Sequence, residues 1–568
     1  MRVEYITMIS TLEENKVLDK LEAADKYAID TETTGLDPHN DKLCLFQIAT
    51  ENTCYLLNIA KLGEAAMAQV MAVINKKEKL WILHNAKFDL KFLYAYGYKI
   101  KAEIYDSLLA ESVLLQKIGK GRLSLRYVIY RHLGIKLDKS MQISDWSKML
   151  SQKQKIYAAN DVRYLFQLRR AQLIKAEKRE LNKCIDIENK AVKATAWLEF
   201  SGSLVDICQL QKELAILKMQ EKSIVKRFQK LYGEHVNINS PQQILPIVQK
   251  RNPHILSTKR EDLTDFCNDV VVQMIVEYKD IHKEIESLQG IKKYLNNSHG
   301  WLYANYGQNF TSTGRYTSSK PNLQGIPKSE KFRKLFIAPM GKKLVICDYS
   351  QMELRLMAEI ANDQEMIKAY KQNLDLHTLT AATINRCTYE EVDSKMRCAA
   401  KAMNFGLIYG MSTRTFISYA KKNYGVLFSI SEAMEVVEMF KEKYEAVTQR
   451  LYDLEYKEDN FEKSLSGRTR VWKDRMPSLN QRANYAIQAT GADIIKEALY
   501  QVEVQLIELG VIEFYGCIHD EIILVADENI AEEVAVKLKN IMEKAGKKYL
   551  QKVTLIADVV VGKNRAVK

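Results

Sequence analysis

The sequence predicts a multidomain chain combining α/β and α+β parts, and three observations carry that expectation. Its 568 residues are too many for one ordinary domain and suggest three or four. Short apolar strands alternate with helical stretches over residues 1–175, an α/β pattern. A nearly unbroken run of charged helix formers, Glu188 to Leu295, then gives way from Trp301 to a second mixed region.

Each element has its own local signal. Tyr27-Ala28-Ile29 and Leu43 to Ala49 are apolar runs of strand length, and 151–180 is rich in the helix formers Lys, Gln, Ala and Leu. Within the long helical run, Asn239-Ser240-Pro241 marks a helix start, with Ser240 as cap and Pro241 at the first helical position. Leu344-Val345-Ile346-Cys347 predicts a buried strand, and His519-Asp520-Glu521 interrupts a second apolar strand pair. The strongly helical stretch 361–465 lies between these strands and is expected to be an insertion into one domain. With eight prolines and no Gly/Ser/Pro-rich tract, the domains join through helices and tight turns.

Composition narrows the partners. The net charge of +13 at pH 7 and a pI near 9.0 favour a polyanion. Nine scattered cysteines include no C-x-x-C pair, which argues against a zinc site or a disulfide framework and for a reducing compartment. No run reaches the roughly 18 apolar residues of a membrane span, and Met1-Arg2-Val3-Glu4-Tyr5 starts no signal core. The expectation is a monomeric cytoplasmic protein of a bacterial cell or virus-infected host, without a membrane partner. Gly119-Lys120-Gly121 reads as a basic turn, and no phosphate-binding G-x-x-x-x-G-K-[S/T] loop of a fused helicase is present.

Two constellations carry chemistry. In the first domain Asp30-Thr31-Glu32 follows a strand, so the two carboxylates point to one side, as metal binding requires. Asn85-Ala86-Lys87-Phe88-Asp89 comes next, then Tyr157 and Asp161, four apart on one helix face. This set resembles the proofreading exonucleases with four acidic residues and a tyrosine, an RNase H-like fold, over about residues 20–175. The resemblance implies two Mg²⁺ ions, with Mn²⁺ a possible substitute, held by Asp30, Glu32, Asp89 and Asp161. Tyr157 would position the attacking water.

The second constellation begins with Asp348-Tyr349-Ser350-Gln351-Met352-Glu353-Leu354-Arg355, where a carboxylate emerges at the end of the buried strand. Arg397, Lys401, Phe405 and Tyr409 recur every four residues, and Ile518-His519-Asp520-Glu521-Ile522 closes the series. With Thr311-Ser312-Thr313-Gly314-Arg315 and Pro321-Asn322-Leu323-Gln324 upstream, these runs resemble motifs A, B and C and the primer-gripping segment of family A DNA polymerases, over about 190–568. The implied fold is a right hand of palm, fingers and thumb behind the exonuclease domain. Its expected boundaries are 1–180 exonuclease, 181–300 thumb, 301–370 palm, 371–465 fingers and 466–568 palm again.

The resemblance assigns roles residue by residue. Asp348 and Asp520 would share two Mg²⁺ ions, with Glu521 as an accessory charge. Arg397, Lys401, His377 and Gln351 would meet the incoming dNTP, Phe405 and Tyr409 would close over the nascent pair, and Glu353 would exclude a ribose hydroxyl. Arg315, Gln324, Asn484, Gln488 and His519 would contact primer–template DNA, and thumb lysines such as Lys283, Lys292 and Lys293 would track phosphates. Two departures stand out. Lys328-Ser329 follows Ile326-Pro327 where the family carries an arginine, and Arg565 stands where tryptophan is common.

The expected function is DNA-templated DNA synthesis with 3′→5′ proofreading, in replication or repair and without a 5′-nuclease region. A processivity or helicase partner leaves no readable motif. The alternatives are a single-subunit RNA polymerase, which Glu353 and the intact exonuclease set oppose, and a non-catalytic DNA-binding factor, which the surviving carboxylates oppose.

Overall fold

A computed structural model describes residues 1–7, 13, 16–116, 123–295, 299–327, 329–473, 475–506 and 512–568. The Gly119-Lys120-Gly121 turn and Lys328 lie outside the described residues.

The first domain is built on a six-stranded sheet: β1 (Arg2–Ile6), β2 (Lys26–Thr33), β3 (Leu43–Ala49), β4 (Thr53–Asn58), β5 (Leu80–Leu83) and β6 (Glu103–Asp106), in the order β1-β4-β3-β2-β5-β6. Strands β2, β3 and β4 are antiparallel neighbours, whereas β5 and β6 run parallel to β2. Side-chain alternation buries both faces: Tyr27 and Ile29 enter one core and Ala28 the other. The helical stretch 151–180 is two helices, Gln152–Arg163 and Leu165–Glu177, broken at Tyr164. Composition gives no warning of that break. The first of them starts in a capping box between Ser151 and Gln154, which fixes where Tyr157 and Asp161 sit.

The helix Asn182–Ser201 divides its side chains among three cores. Cys184 and Ile185 pack into one face of the first domain, Val192 and Ala196 into the other, and Ile187, Ala194 and Leu198 into the largest core beyond it. It is therefore a spine between bodies, separate from the helix pair that follows and was expected to include it. That pair, Ile207–Tyr232 and Val270–Tyr294, is antiparallel, since Leu210 and Leu214 share a core with Ile291 and Leu295. Its far end closes on a small core of its own around Phe228, Ile244 and Val272. There Pro241 opens the helix Pro241–Arg251 at its first position as expected, but the Ser240 side chain makes no capping bond.

The largest core supports a four-stranded antiparallel sheet in the order 512–518, 521–527, 342–349, 557–562. The strand Lys342–Tyr349 sits centrally, with Asp348 opposite Glu521 on one side and Asp558 on the other. Between it and Ile512–Ile518 lie the expected inserted helices, among them Leu376–Asn385 and Ser394–Leu407.

Buried charges bind the pieces together. Arg468, in the turn of the hairpin Phe461–Lys463/Thr469–Val471, donates to Asp493 at 2.6 Å, Glu188 at 2.6 Å and Asn309 at 2.9 Å. Lys496 also donates to Glu188 and to the Gly314 carbonyl, the latter at 2.7 Å. Gly314 has φ +76°, and a Cβ there would lie 3.0 Å from the Arg468 guanidinium, so this turn requires glycine.

Removing one partner of such a network leaves an uncompensated buried charge. Arg468→Met is expected to cost about 3–5 kcal/mol, read as a lower urea midpoint for the full chain. An unchanged midpoint would show that the network is not structural.

Candidate functional site

The sheet and the helical insert enclose a cavity of about 530 Å³. Asp348 reaches it because it is the next-to-last residue of the central strand. Asp520 reaches it from the two-residue turn between the neighbouring strands, where His519 takes the positive φ (+59°) such a hairpin needs at its first central position. Burial and then the facing Asp348 push the Asp520 carboxyl up to about 7. The Asp348 Oδ1 atom is buried without a hydrogen-bond partner, an unsatisfied oxygen on a residue that lines the cavity. Its Oδ2 accepts from Lys568, whose Nζ also donates to Glu521 Oε2 at 2.8 Å. Arg565 Nη2 donates to Glu521 Oε1 at 3.1 Å. Glu521 is thus held by two cations, which suits an accessory charge more than a primary ligand. This donor set, hard oxygens around an unsatisfied carboxylate, fits a divalent cation.

The predicted wall residues gather around the same cavity. Arg397 and Lys401 stand one helical turn apart on Ser394–Leu407, and Phe405 follows on that helix. Tyr409 continues the sequence spacing but lies beyond the helix end, and its hydroxyl donates to Glu353 Oε2. Arg315 donates to Glu353 Oε1 at 2.6 Å, so the glutamate is fixed from two sides. Gln351 donates to Asp375 at 2.7 Å and accepts from Tyr370 at 3.1 Å. His377 is buried against Phe405, with ring centroids 5.5 Å apart, and burial lowers its pKa to about 4, leaving a neutral ring. Gln324 lines a smaller adjoining cavity of about 130 Å³ with Asp348, His519 and Lys568. Asn484 accepts from Gln488 at 3.2 Å on the helix Leu479–Gln505, and Gln488 stands one turn before Ala492, which meets the main cavity.

The first domain gathers its carboxylates at β2, which runs through Asp30 and Glu32 to Thr33 rather than ending before them. One oxygen each from Asp30, Glu32 and Asp161 lie within 4.8 Å of one another. Asp89 stands beside this cluster rather than within it: it is buried on the helix Ala86–Ala95 and accepts from Thr31 Oγ1 at 2.6 Å. Burial, then Asp89, Asp161 and Glu32, hold Asp30 well above the usual carboxylate range. Burial followed by Asp161 takes Glu32 to about 9, and burial takes Asp89 to about 7. Crowded anions that would rather be protonated form a cluster that a divalent cation would relieve.

Sequence reasoning missed four side chains. Lys139, in a segment without regular structure, donates to Asp161 Oδ1 at 2.5 Å and to Tyr157 Oη at 3.2 Å. Asp375 accepts from Arg397 Nε and Nη2 at 3.0 and 2.9 Å. Burial would raise this acid, yet Arg397 and Thr378 hold it at about 2. Its position as N-cap of Leu376–Asn385 was a usable signal. Lys568 carried none, and Arg565 was noted only as a departure.

Comparisons with known proteins agree with this geometry. The family model for DNA polymerase family A matches residues 208–566, and that for a 3′-5′ exonuclease matches 4–173. DNA polymerase I of Aquifex aeolicus is 33% identical over 99% of this chain and 99% of its own length. DNA polymerase I of Pseudomonas aeruginosa is 28% identical over 99% of this chain, which spans 66% of that protein. The solved structure of the POL domain of Pol1 from M. smegmatis, in complex with DNA primer-template and dNTP, shares the fold at a TM-score of 0.84, 20% identity and full coverage of both chains. Among the described residues no helix is long and apolar enough to cross a membrane. These matches, end to end along two acidic centres, show that the chain belongs to DNA polymerase family A and carries a 3′-5′ exonuclease domain ahead of the polymerase domain.

Proposed function

We propose that this DNA polymerase extends a primer on a DNA template at the Asp348/Asp520 centre and excises mismatched 3′ ends at the Asp30/Glu32/Asp161 centre, with Mg²⁺ at both. The observation that carries the reading is the partnerless buried oxygen of Asp348, beside Asp520 and below the Arg397/Lys401 face of one cavity. The M. smegmatis relative's primer–template and dNTP support the same ligands here.

In extension, the primer 3′ oxygen bonds to the α-phosphorus of the dNTP, the bond from that phosphorus to the bridging oxygen breaks, and pyrophosphate leaves as the hydroxyl proton is lost. Bound Mg²⁺ would lower the pKa of that hydroxyl and neutralise the triphosphate. Asp348 and Asp520 would hold it, and Asp89 would join the three clustered carboxylates at the excision centre. Arg397 and Lys401 bind the triphosphate as paired donors, with Asp375 storing Arg397 beside it beforehand. His377, neutral, offers a hydrogen bond rather than a charge. Phe405 covers the base. Glu353, locked by Arg315 and Tyr409, occupies the space a ribose 2′-hydroxyl would need.

Gln324, Asn484, Gln488, His519 and Arg315 contact the primer terminus by shape, through minor-groove acceptors common to correct pairs. For the domains the reading keeps the sequence divisions, with Asn182–Ser201 assigned to the frame rather than to the thumb. In excision a water bonds to the terminal phosphorus as its bond to the preceding 3′ oxygen breaks, releasing a nucleoside monophosphate. Glu32 and Tyr157 orient that water.

The two centres are expected to separate cleanly. Loss of several kcal/mol of metal-borne stabilisation means that Asp348→Asn slows extension by roughly 10³-fold while leaving excision intact, and Asp30→Asn does the reverse. A gel with a labelled primer–template, with and without dNTPs, reads both, and equal loss of both activities in either variant would sink the assignment. Glu353→Ala should raise ribonucleotide incorporation by roughly 10–200-fold; unchanged discrimination in competition assays would remove Glu353 from that role.

Metal and pH are linked through Asp520, whose pKa rises from 3.8 to about 7 in the metal-free fold. Its contribution to stability is fully present below about 4 and is lost as pH rises through about 7, because over that window the folded state holds a proton the unfolded state lacks. Mg²⁺ must displace that proton, so the Mg²⁺-induced rise in melting temperature should be larger at pH 8 than at pH 5.5. A rise of equal size at both would contradict the linkage.

A further inference from the structure

Resting on the excision reading above, we propose that Lys139 is a positioning residue of the exonuclease centre, fixing the Tyr157 hydroxyl and one Asp161 oxygen so that the attacking water is held in line.

The placement is built rather than incidental. Lys139 reaches the cluster from the segment between the helices Leu125–Leu133 and Gln152–Arg163. That segment is tied down at several points. Gly134 ends the first helix at φ +71°. Trp146 is buried with its ring 5.9 Å from Tyr157, and Gln154 of the Tyr157 helix donates back to the Asp145 carbonyl at 3.0 Å. Asp138 accepts from the Ser140 backbone N–H at 2.9 Å, a local turn centred on Lys139 itself. The lysine Nζ then lies 2.5 Å from Asp161 Oδ1, 3.2 Å from Tyr157 Oη and 4.9 Å from the Tyr157 ring centroid. Its charge also acts on Asp30 and Glu32.

Hydrogen-bond accounting shows what this does. A tyrosine hydroxyl has one proton and two acceptor lone pairs. Here one lone pair is taken by Lys139, which also bonds Asp161 Oδ1 and so holds the hydroxyl beside that carboxylate. One lone pair remains, which can accept an O–H from water and turn that water's own lone pair toward phosphorus. The ammonium also sets a fixed positive charge beside the centre, which would favour negative charge developing on a phosphoryl group held there. Because Lys139 occupies one Asp161 oxygen and repels a cation, it trades metal affinity for rate. A purely structural lysine would make no such trade.

The opposite signs give the test. In the whole 568-residue chain, Lys139→Met and Lys139→Arg are compared with the parent, with primer extension at the polymerase centre reporting that the chain is folded. Excision of a labelled single-stranded oligonucleotide is measured in single turnover at saturating Mg²⁺, and Mn²⁺ binding is followed by loss of the free-ion spin-resonance signal. Lys139→Met is expected to lower the maximal excision rate by roughly 100-fold with oligonucleotide affinity nearly unchanged, while Mn²⁺ binds a few-fold more tightly. Lys139→Arg, which keeps the charge, should recover most of the rate. Excision by Lys139→Met at the parental rate would reduce the lysine to a counter-ion and overturn the proposal. So would a joint fall in rate and Mn²⁺ affinity without rescue by arginine, the mark of a structural support. A parent chain that binds Mn²⁺ yet excises nothing would instead overturn the excision reading itself.

Discussion

Glu188 is the charge on which the arrangement of the two domains depends. It lies fully buried on the spine helix and takes bonds from Arg468 and Lys496, which in turn hold Asp493, Asn309 and the Gly314 carbonyl. Ions buried this deeply seldom add net stability over a well-packed apolar substitute, because desolvation cancels most of the attraction. Their value is that one geometry alone satisfies them all. Here that geometry joins the spine helix, the 461–471 hairpin, the helix Leu479–Gln505 and the turn that presents Arg315 to Glu353.

The same electrostatics run in the opposite direction at the two centres. There the anions are placed together before any cation arrives, so that burial and mutual repulsion raise Asp30, Glu32 and Asp520 toward protonation. Each cluster carries one lysine, Lys139 in the first domain and Lys568 in the second, which offsets part of that repulsion. A preformed site strained in this way binds a divalent cation with less reorganisation than a relaxed one, at a cost in stability of the metal-free fold.

Much of this was legible in the chain. A carboxylate after an apolar run announces itself because such a run is a strong strand signal: Asp348 does sit at the end of its strand, whereas Asp30 and Glu32 lie within β2, which runs on to Thr33 because its backbone stays paired with β3 past the apolar run. The Arg397-Lys401-Phe405 spacing is a local property of a helix and survived intact, whereas Tyr409 left the helix because Ile408 ends it and Gly410 takes a left-handed φ of +70°. What stayed hidden depends on contacts far apart in sequence. Lys139 meets residues 18 and 22 positions away across an irregular segment, and Lys568 meets Asp348 across 220. The three-core role of Asn182–Ser201 was hidden for the same reason, since a helix with apolar side chains on several sides looks alike whether it serves one body or two.

A second clamp extends the frame toward the excision centre. Glu199, near the end of the spine helix, accepts from Lys87 and Lys91 at 2.7 Å each and from the Tyr306 backbone at 2.7 Å. Lys87 also donates to the Tyr306 carbonyl at 2.8 Å. The lysines belong to the helix that carries Asp89, and Tyr306 belongs to a strand that leads within ten residues to Arg315. Both centres therefore hang from one helix through buried, oppositely charged contacts at its two ends. On the proposed function, a frame fixed at both ends leaves little freedom for one centre to swing toward the other. The strand end must cross between them, which favours a frayed, mismatched terminus over a paired one. Selectivity in proofreading then follows from the rigidity of the spine as much as from the chemistry of either carboxylate cluster.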